Sequence, residues 1–454
     1  MGTAEKEPLF WARAWFILLV ALGLRLALVP LLVGNQLNPA SDHWDFGWET
    51  GRIARSLASG RGFGSPLYGW TGPTAWMGPI YPGLLAGVFK LFGTYSKASA
   101  YVILSLNSIF AAVTCLPLYS IARRVFGERS AIVAAWVWAL FPFSIDFAVE
   151  QVWSTVLDAL LLSLALAMTI SIERDWNPAR WVAWGGLWAA AGLTNPATLS
   201  CLPVAGLWLV HRHRRRGQPW TFFWRPAIAA AVFLAVLAPW FVRNYRVFGR
   251  FVPIRDNFWL AFYQGNTWDT FDLYPDWANP PHNPAEMDEY RRVGELAYMA
   301  EKKQQALEAL CAHPQRFAWT TLRRFVFTWT GYWDLSRAYR RIEPFELPNL
   351  FFTVPLSAFS ALGLARAFRR ARHSAILFAW VLVAFPAIYY LTHPSMLYRH
   401  PVDPLIVLLA VYAFTGRRKE RESIFAPRGA EVEAQFPHQV PSQRAPLSVG
   451  KGLG

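Results

Sequence analysis

Cysteine is scarce in this chain: three residues among 454, with Cys115 and Cys201 in or beside apolar runs and Cys311 in a polar stretch. That spacing supports neither a disulfide framework nor a cysteine metal site. Charge is scarce too, at 16% of residues against 54% hydrophobic. Such a balance excludes an ordinary water-soluble enzyme of this length and reads as a polytopic membrane protein. No glycine-rich phosphate loop occurs, so the usual nucleotide cradle is missing. Nor is there an internal repeat strong enough to suggest a two-halved transporter. The net charge of +15 would suit nucleic acid, but the excess lies in short clusters beside apolar runs, so nucleic acid is not an expected partner. Those clusters report membrane orientation, with a weaker contribution from anionic lipid.

What the chain does contain is a series of apolar runs long enough to cross a bilayer. They fall at about 14–33, 99–121, 130–148, 152–172, 181–198, 199–211, 226–243, 347–366, 374–392 and 401–415. The fold class expected is therefore all-α and polytopic, with about ten transmembrane helices. The first run is too long for a removed signal peptide and lacks a small-residue cleavage site, so a retained span is expected. Arginines follow every second run: Arg123, Arg124 and Arg129, then Arg174 and Arg180, then 212–216, 366–372 and 417–421. The positive-inside rule puts these short connections and both termini in the cytoplasm, in a cell inner (plasma) membrane protein.

The opposite connections include two long ones, 34–98 and 244–346, and long loops commonly carry function. The chain then divides into a membrane core at 1–243 that contains the candidate catalytic loop 34–98, an extracytoplasmic segment at 244–346, C-terminal spans at 347–415 and a disordered cytoplasmic tail at 416–454. Within the first loop, residues 48–59 read as an amphipathic helix stopped at Gly60, and PIYPGLLAGVFKLFG at 79–93 as a second short helix, both lying in the interface plane. The second loop is expected to be mostly helical. It holds an amphipathic helix starting near Pro284 and an aromatic, basic stretch, FAWTTLRRFVFTWTGYWDL.

Candidate chemistry concentrates at the lip of the first span, in SDHWDFGWETGRIARSLASGRGFG at 41–64. A helix beginning near Asp45 would put Asp45 and Glu49 one turn apart on one face, where neighbouring carboxylates raise a pKa toward that of a general base. The competing reading is helix capping by Asp42 or Asp45, with Glu49 favouring the first turn. A metal site using His43 is a weaker alternative; no metal or other cofactor is indicated. Arg25 lies inside the first apolar run and must snorkel, or meet an acid or a lipid phosphate. Glu150 shares a face with Asp146, and Asp158 lies further along the next run; either could pair with Arg25 or join the first-loop acids. Arg243, Arg246 and Arg399, the last beside Tyr398 and His400, supply cations on the same side for an anionic group.

The order of one span, an acidic motif, ETGRIARSLASGRGF, then TGPTAWMGPIYPGLLAGVFKLFG and a second span ending IARRVFG resembles the GT-C class of integral-membrane glycosyltransferases. The likeness is to the branch of protein O-mannosyltransferases and lipid A aminoarabinose transferases. It extends roughly over 10–415 and is clearest over 10–200. The resemblance implies an enzyme taking a sugar from a polyprenyl-phosphate donor to an extracytoplasmic lipid, glycan or protein acceptor, with a catalytic acid in the first loop. Carried over, that acid falls on Asp45, with Glu49 as its rival, since Phe46 and Gly47 follow Asp45 where relatives often read Asp-Glu. Glu150 stands where relatives place an acid, and Asn195 where they often place a base, leaving Arg243 and Arg399 for the lipid phosphate. Asp42, Arg25 and Tyr398 complete the expected substrate-binding set. One displacement would invert the anomeric centre. The alternative function is a transporter or flippase of a lipid-linked or anionic substrate.

Overall fold

The computed structural model describes residues 12–173, 177–215, 224–267, 278–333 and 349–416. The expected cytoplasmic tail therefore lies outside the described residues. Among those described there is no β-strand beyond one isolated bridge between Gly64 and Pro73. The chain is all-α, as its composition required.

The membrane helices follow the apolar runs. Helix α1 (Ala14–Leu32) is followed by α2 (Trp48–Ala58) and α3 (Ile80–Phe92) in the first loop. Then α4 (Lys97–Val113) and α5 (Cys115–Phe126) run on as one 30-residue span. A bent pair, α6 (Glu128–Ala139) and α7 (Pro142–Val149), turns through 45° at its break. Next come α8 (Thr155–Ile172), α9 (Pro178–Thr194), α10 (Cys201–Arg215) and α11 (Trp224–Phe248). Three further spans cover Asn349–Arg370, Arg372–Leu391 and Met396–Thr415.

Seven described helices are long and apolar enough to cross a membrane, eight if the bent pair counts as one span. The difference from about ten lies in part at α9 and α10, which are 17 and 15 residues long. The Asn195–Pro196 step ends α9, because proline disfavours a helical residue before it. The last turn of α10 carries Arg212, His213, Arg214 and Arg215, which shortens its apolar part.

Helix α8 and the Met396–Thr415 span are the most buried membrane helices, and α11 is the most exposed. Wrapping α8 in protein lets it carry Asp158, which is 1% exposed, at a depth where a lipid-facing carboxylate would be costly.

In the first loop α2 and α3 lie within a residue or two of their expected bounds, and Gly60, at φ 79°, forms the left-handed stop. Helix α2 is more enclosed than an interfacial helix need be: Thr50, Gly51, Arg52, Ile53 and Ala54 are all buried. The second loop supplies α12 (Phe258–Asn266), α13 (Pro284–Val293), α14 (Glu295–Ala312) and α15 (Pro314–Thr330). One helix was expected near Pro284. Two form, because Gly294 takes φ 81° and breaks the run.

The two loops share one apolar core. Trp44, Ile53, Leu67, Trp76 and Met77 from the first pack with Leu260, Phe262, Met287, Tyr290 and Tyr298 from the second. Each large side chain so buried contributes about 1.5–3 kcal/mol before entropy is counted. That shared core lets residues of both loops line one cavity.

Candidate active site

Helix α2 starts at Trp48, so Asp45 does not lie one helical turn below Glu49. The backbone enters the left-handed region at Asp42 and His43, ahead of Asp45, and again at Gly47 and Trp48, between the two acids. The turn is closed by contact. A Cβ on Gly47 would meet the Val152 carbonyl oxygen at 3.0 Å, and one on Gly51 would meet the Phe46 carbonyl oxygen at 2.0 Å. Phe46 is buried beneath, leaving the Asp45 side chain exposed. The three acids therefore have different environments.

Asp42 pairs with Arg52 and with Arg55, the latter at 3.1 Å. Burial raises its carboxyl, but the hydrogen bonds and charges of the two arginines outweigh this and hold it below its ordinary value. His43 stacks on Tyr95, ring centroids 4.9 Å apart. Among the described residues no three His, Cys, Asp or Glu side chains gather as metal ligands.

Glu49, half-buried in the first turn of α2, lines a cavity with Trp76, Trp153, Arg255, His393 and Tyr398. Arg255 donates from Nε to the Trp76 carbonyl at 2.9 Å. Burial lowers its guanidinium, while Tyr389, Tyr398, Glu49 and Asp158 act in the opposite sense. His393 is pushed down to about 3 by burial and by Arg324, so its ring is neutral at physiological pH.

A polar relay stands behind this wall. Asn195 donates from Nδ2 to Asp158 Oδ2 at 3.2 Å and to the Tyr389 hydroxyl at 3.3 Å. Asp158 also accepts from Ser154 Oγ at 3.0 Å. Tyr389 stacks almost parallel on Tyr398, 5.1 Å between centroids. Asn195 thus links α8 and α9 to the tyrosines of the cavity.

The remaining expected residues lie in other contacts. Arg25 donates at 2.9 Å to the carbonyls of Ala21 and Ala139 and to Ser144 Oγ. It satisfies carbonyls left free where α6 breaks into α7, which offsets its cost inside an apolar span. Glu150 accepts from Asn35 Nδ2 at 3.4 Å, tying the end of α7 to the end of α1. Arg243 donates to the carbonyls of Thr74 at 2.7 Å and Phe63 at 2.6 Å, fastening the first loop to α11. Arg399 is fully buried, paired with Asp403 at 2.9 Å and donating to the Thr328 carbonyl at 3.1 Å. Of the expected set, the fold gathers Glu49 and Tyr398 in this cavity. Arg255 was not among the sequence candidates; its only signal was an arginine shortly after a span, in FVPIRDNF. The stretch GNTWDTFDLYPDW falls largely outside the described residues.

The chain is a polytopic helical membrane protein with an acidic first loop and a second loop packed onto it. A family model described as dolichyl-phosphate-mannose-protein mannosyltransferase matches residues 77–242. The match starts inside the first loop, past its acidic stretch at 41–64, and within the part where the resemblance was expected to be clearest. Among solved structures, the Archaeoglobus fulgidus oligosaccharyltransferase tethered to an acceptor peptide shares 15% identity at a TM-score of 0.54, covering 92% of this chain and 51% of that one. The same organism's oligosaccharyltransferase AglB, in complex with an inhibitory peptide and a dolichol-phosphate, shares 13% at a TM-score of 0.51, covering 92% and 52%. ArnT from Cupriavidus metallidurans, bound to undecaprenyl phosphate, shares 16% identity at a TM-score of 0.36, covering 88% and 79%. The chain spans about half the length of the oligosaccharyltransferase structures it matches. No curated protein matches the sequence.

Proposed function

We propose that the protein is a glycosyltransferase that moves a sugar from a polyprenyl-phosphate-linked donor to an acceptor hydroxyl or amine in one inverting displacement. The observation that carries this reading is the meeting of Glu49, Arg255 and Tyr398 in one cavity walled by both loops. A carboxylate and a guanidinium in one cavity can serve the two ends of a displacement. Glu49 takes the acceptor proton as the acceptor atom bonds to the anomeric carbon. The bond from that carbon to the phosphate oxygen breaks on the opposite face. Polyprenyl phosphate departs with the electron pair, and Arg255 stabilises its developing charge. Tyr398, stacked on Tyr389, offers an aromatic edge and a hydroxyl to the sugar.

In this reading both loops face outward, the arginine-rich ends and both termini face the cytoplasm, and the donor's lipid reaches the cavity along the inner membrane. Asp45 is the rival base, being a carboxylate on the same loop without a buried setting. The test is release of polyprenyl phosphate from a radiolabelled polyprenyl-phosphate sugar by purified protein in lipid nanodiscs. Glu49→Gln is expected to abolish release while donor binding persists, with Asp45→Asn keeping most of it. Collapse in Asp45→Asn alone would transfer the base to Asp45, and full release in both variants would overturn the reading.

A further inference from the structure

The end of α8 opposite the Glu49 cavity carries a second cavity of different chemistry. It opens where α8 ends and is lined by Arg124 from the end of α5, Arg180 from the start of α9, Arg212 from the end of α10, and Arg370 and Arg372 from the junction of two C-terminal helices. Glu173 is the one acid in the lining, and Arg212 occupies it at 2.5 Å. Among their contacts, Arg180 donates to the Ser171 hydroxyl at 3.2 Å and Arg370 to the Gly416 carbonyl at 2.7 Å. Arg124 and Arg372 are exposed and have no side-chain hydrogen bond or ion pair among the described residues. Val125, Ile170 and the Trp208 ring add apolar surface to the lining, the indole N–H being held by the His373 carbonyl at 2.7 Å.

We propose that this cavity binds phosphate groups of an anionic molecule, held by arginine forks from four separate connections. Membrane orientation requires basic residues on one side, but it does not require five of them around one hollow whose lining has a single acid, where the excess of like charges repels. A bound polyanion removes that repulsion, and guanidinium groups match phosphate oxygens two at a time. Arginines beside an apolar wall between membrane helices suit a lipid headgroup, which brings phosphate and hydrocarbon together. A soluble phosphate compound offers the same charged group without the hydrocarbon.

The experiment uses the full chain in detergent, with lipid removed, and measures binding of cardiolipin, phosphatidylcholine and inorganic pyrophosphate by native mass spectrometry and calorimetry. Arg124→Gln/Arg372→Gln is compared with Arg246→Gln/Arg250→Gln, which changes net charge equally at exposed positions away from this cavity. Tenfold or greater loss of cardiolipin binding in the first double variant only, with phosphatidylcholine bound weakly throughout, supports the site with a lipid source. The same selective loss for pyrophosphate, with no preference for cardiolipin, supports it with a soluble source. Equal losses in both double variants, or no binding of either phosphate probe by the parent protein, overturns the proposal.

Discussion

Glu295, at the start of α14 in the second loop, accepts the backbone N–H of Ala75 in the first loop at 2.6 Å. The same carboxylate accepts the Thr74 hydroxyl and, at 2.8 Å, the Tyr290 hydroxyl. Ala75 returns the contact, its carbonyl accepting the Asp256 N–H at 3.2 Å. Asp256 follows Arg255, and Trp76, next to Ala75, holds the Arg255 Nε. One buried carboxylate therefore fixes the position from which Arg255 enters the cavity.

Removing that carboxylate should loosen both loops. Glu295→Ala strands a backbone N–H and two hydroxyls in a buried site, at a cost of about 3 kcal/mol or more. A drop in apparent unfolding temperature, partly restored in Glu295→Gln, is expected in a thermal scan of detergent-solubilised protein. An unchanged midpoint for Glu295→Ala would mean the loops hold together without it.

Asp256 and Glu295 give stability a pH dependence whose sign is set by burial. Burial raises both carboxyls above their ordinary values of 3.8 and 4.5, and at Asp256 the charge of Glu295 adds to the rise. The folded state then keeps a proton that the unfolded chain has lost, so stability falls as pH climbs from the ordinary carboxyl range toward the raised values. Asp256→Asn should flatten that slope above the ordinary carboxyl range and gain stability toward the alkaline end. Unfolding midpoints from the ordinary carboxyl range upward, parent against variant, check it; parallel curves would rule the pair out as the source.

If Arg255 stabilises the departing phosphate, Arg255→Ala should cost roughly a hundredfold to a thousandfold in kcat. Arg255→Lys should recover part of it, since a lysine retains the charge but loses the fork. Steady-state release assays with saturating donor separate this from a binding defect. A change in KM alone would assign Arg255 to donor binding.

Arg25 has a structural task, so its loss should register in folding. Arg25→Ala leaves the Ala139 carbonyl and the Ser144 hydroxyl without their donor. A loss of about 1–3 kcal/mol is expected, with KM of the surviving folded protein unchanged. A raised donor KM at parental stability would return Arg25 to the substrate site.

Gly51→Ala tests the tight turn under Glu49. Its Cβ would lie 2.0 Å from the Phe46 carbonyl oxygen, so α2 must shift or unwind. Activity should fall with a stability loss of about 1–3 kcal/mol. Gly60→Ala, where nothing lies within 4 Å, meets only the strain of φ 79° and should be milder. Equal effects at both positions would show that backbone conformation, and not the close approach, governs the turn.

Much of the fold could be read from local pattern. Apolar runs marked the spans, glycine at Gly60 ended α2, and the bounds of α2 and α3 needed no tertiary information, since capping and periodicity act within a few residues. Counting spans was harder, because whether α9 and α10 reach across depends on their neighbours and on where Asn195–Pro196 breaks the chain. The split at Gly294 was visible as a residue, but an amphipathic pattern continued on both sides of it.

The sequence by itself determined the class of environment, the helical secondary structure and the gathering of acids beside the first span, all consequences of composition and short-range spacing. Only the tertiary structure decided which charges share a cavity. Arg243 and Arg399 resembled free cations, yet the fold spends them on backbone carbonyls and on Asp403. Arg255 resembled a loop residue, and packing of the second loop onto the first puts it beside Glu49. The physical reason is that desolvation and ion pairing depend on three-dimensional neighbours, which nothing in the linear order of an arginine specifies.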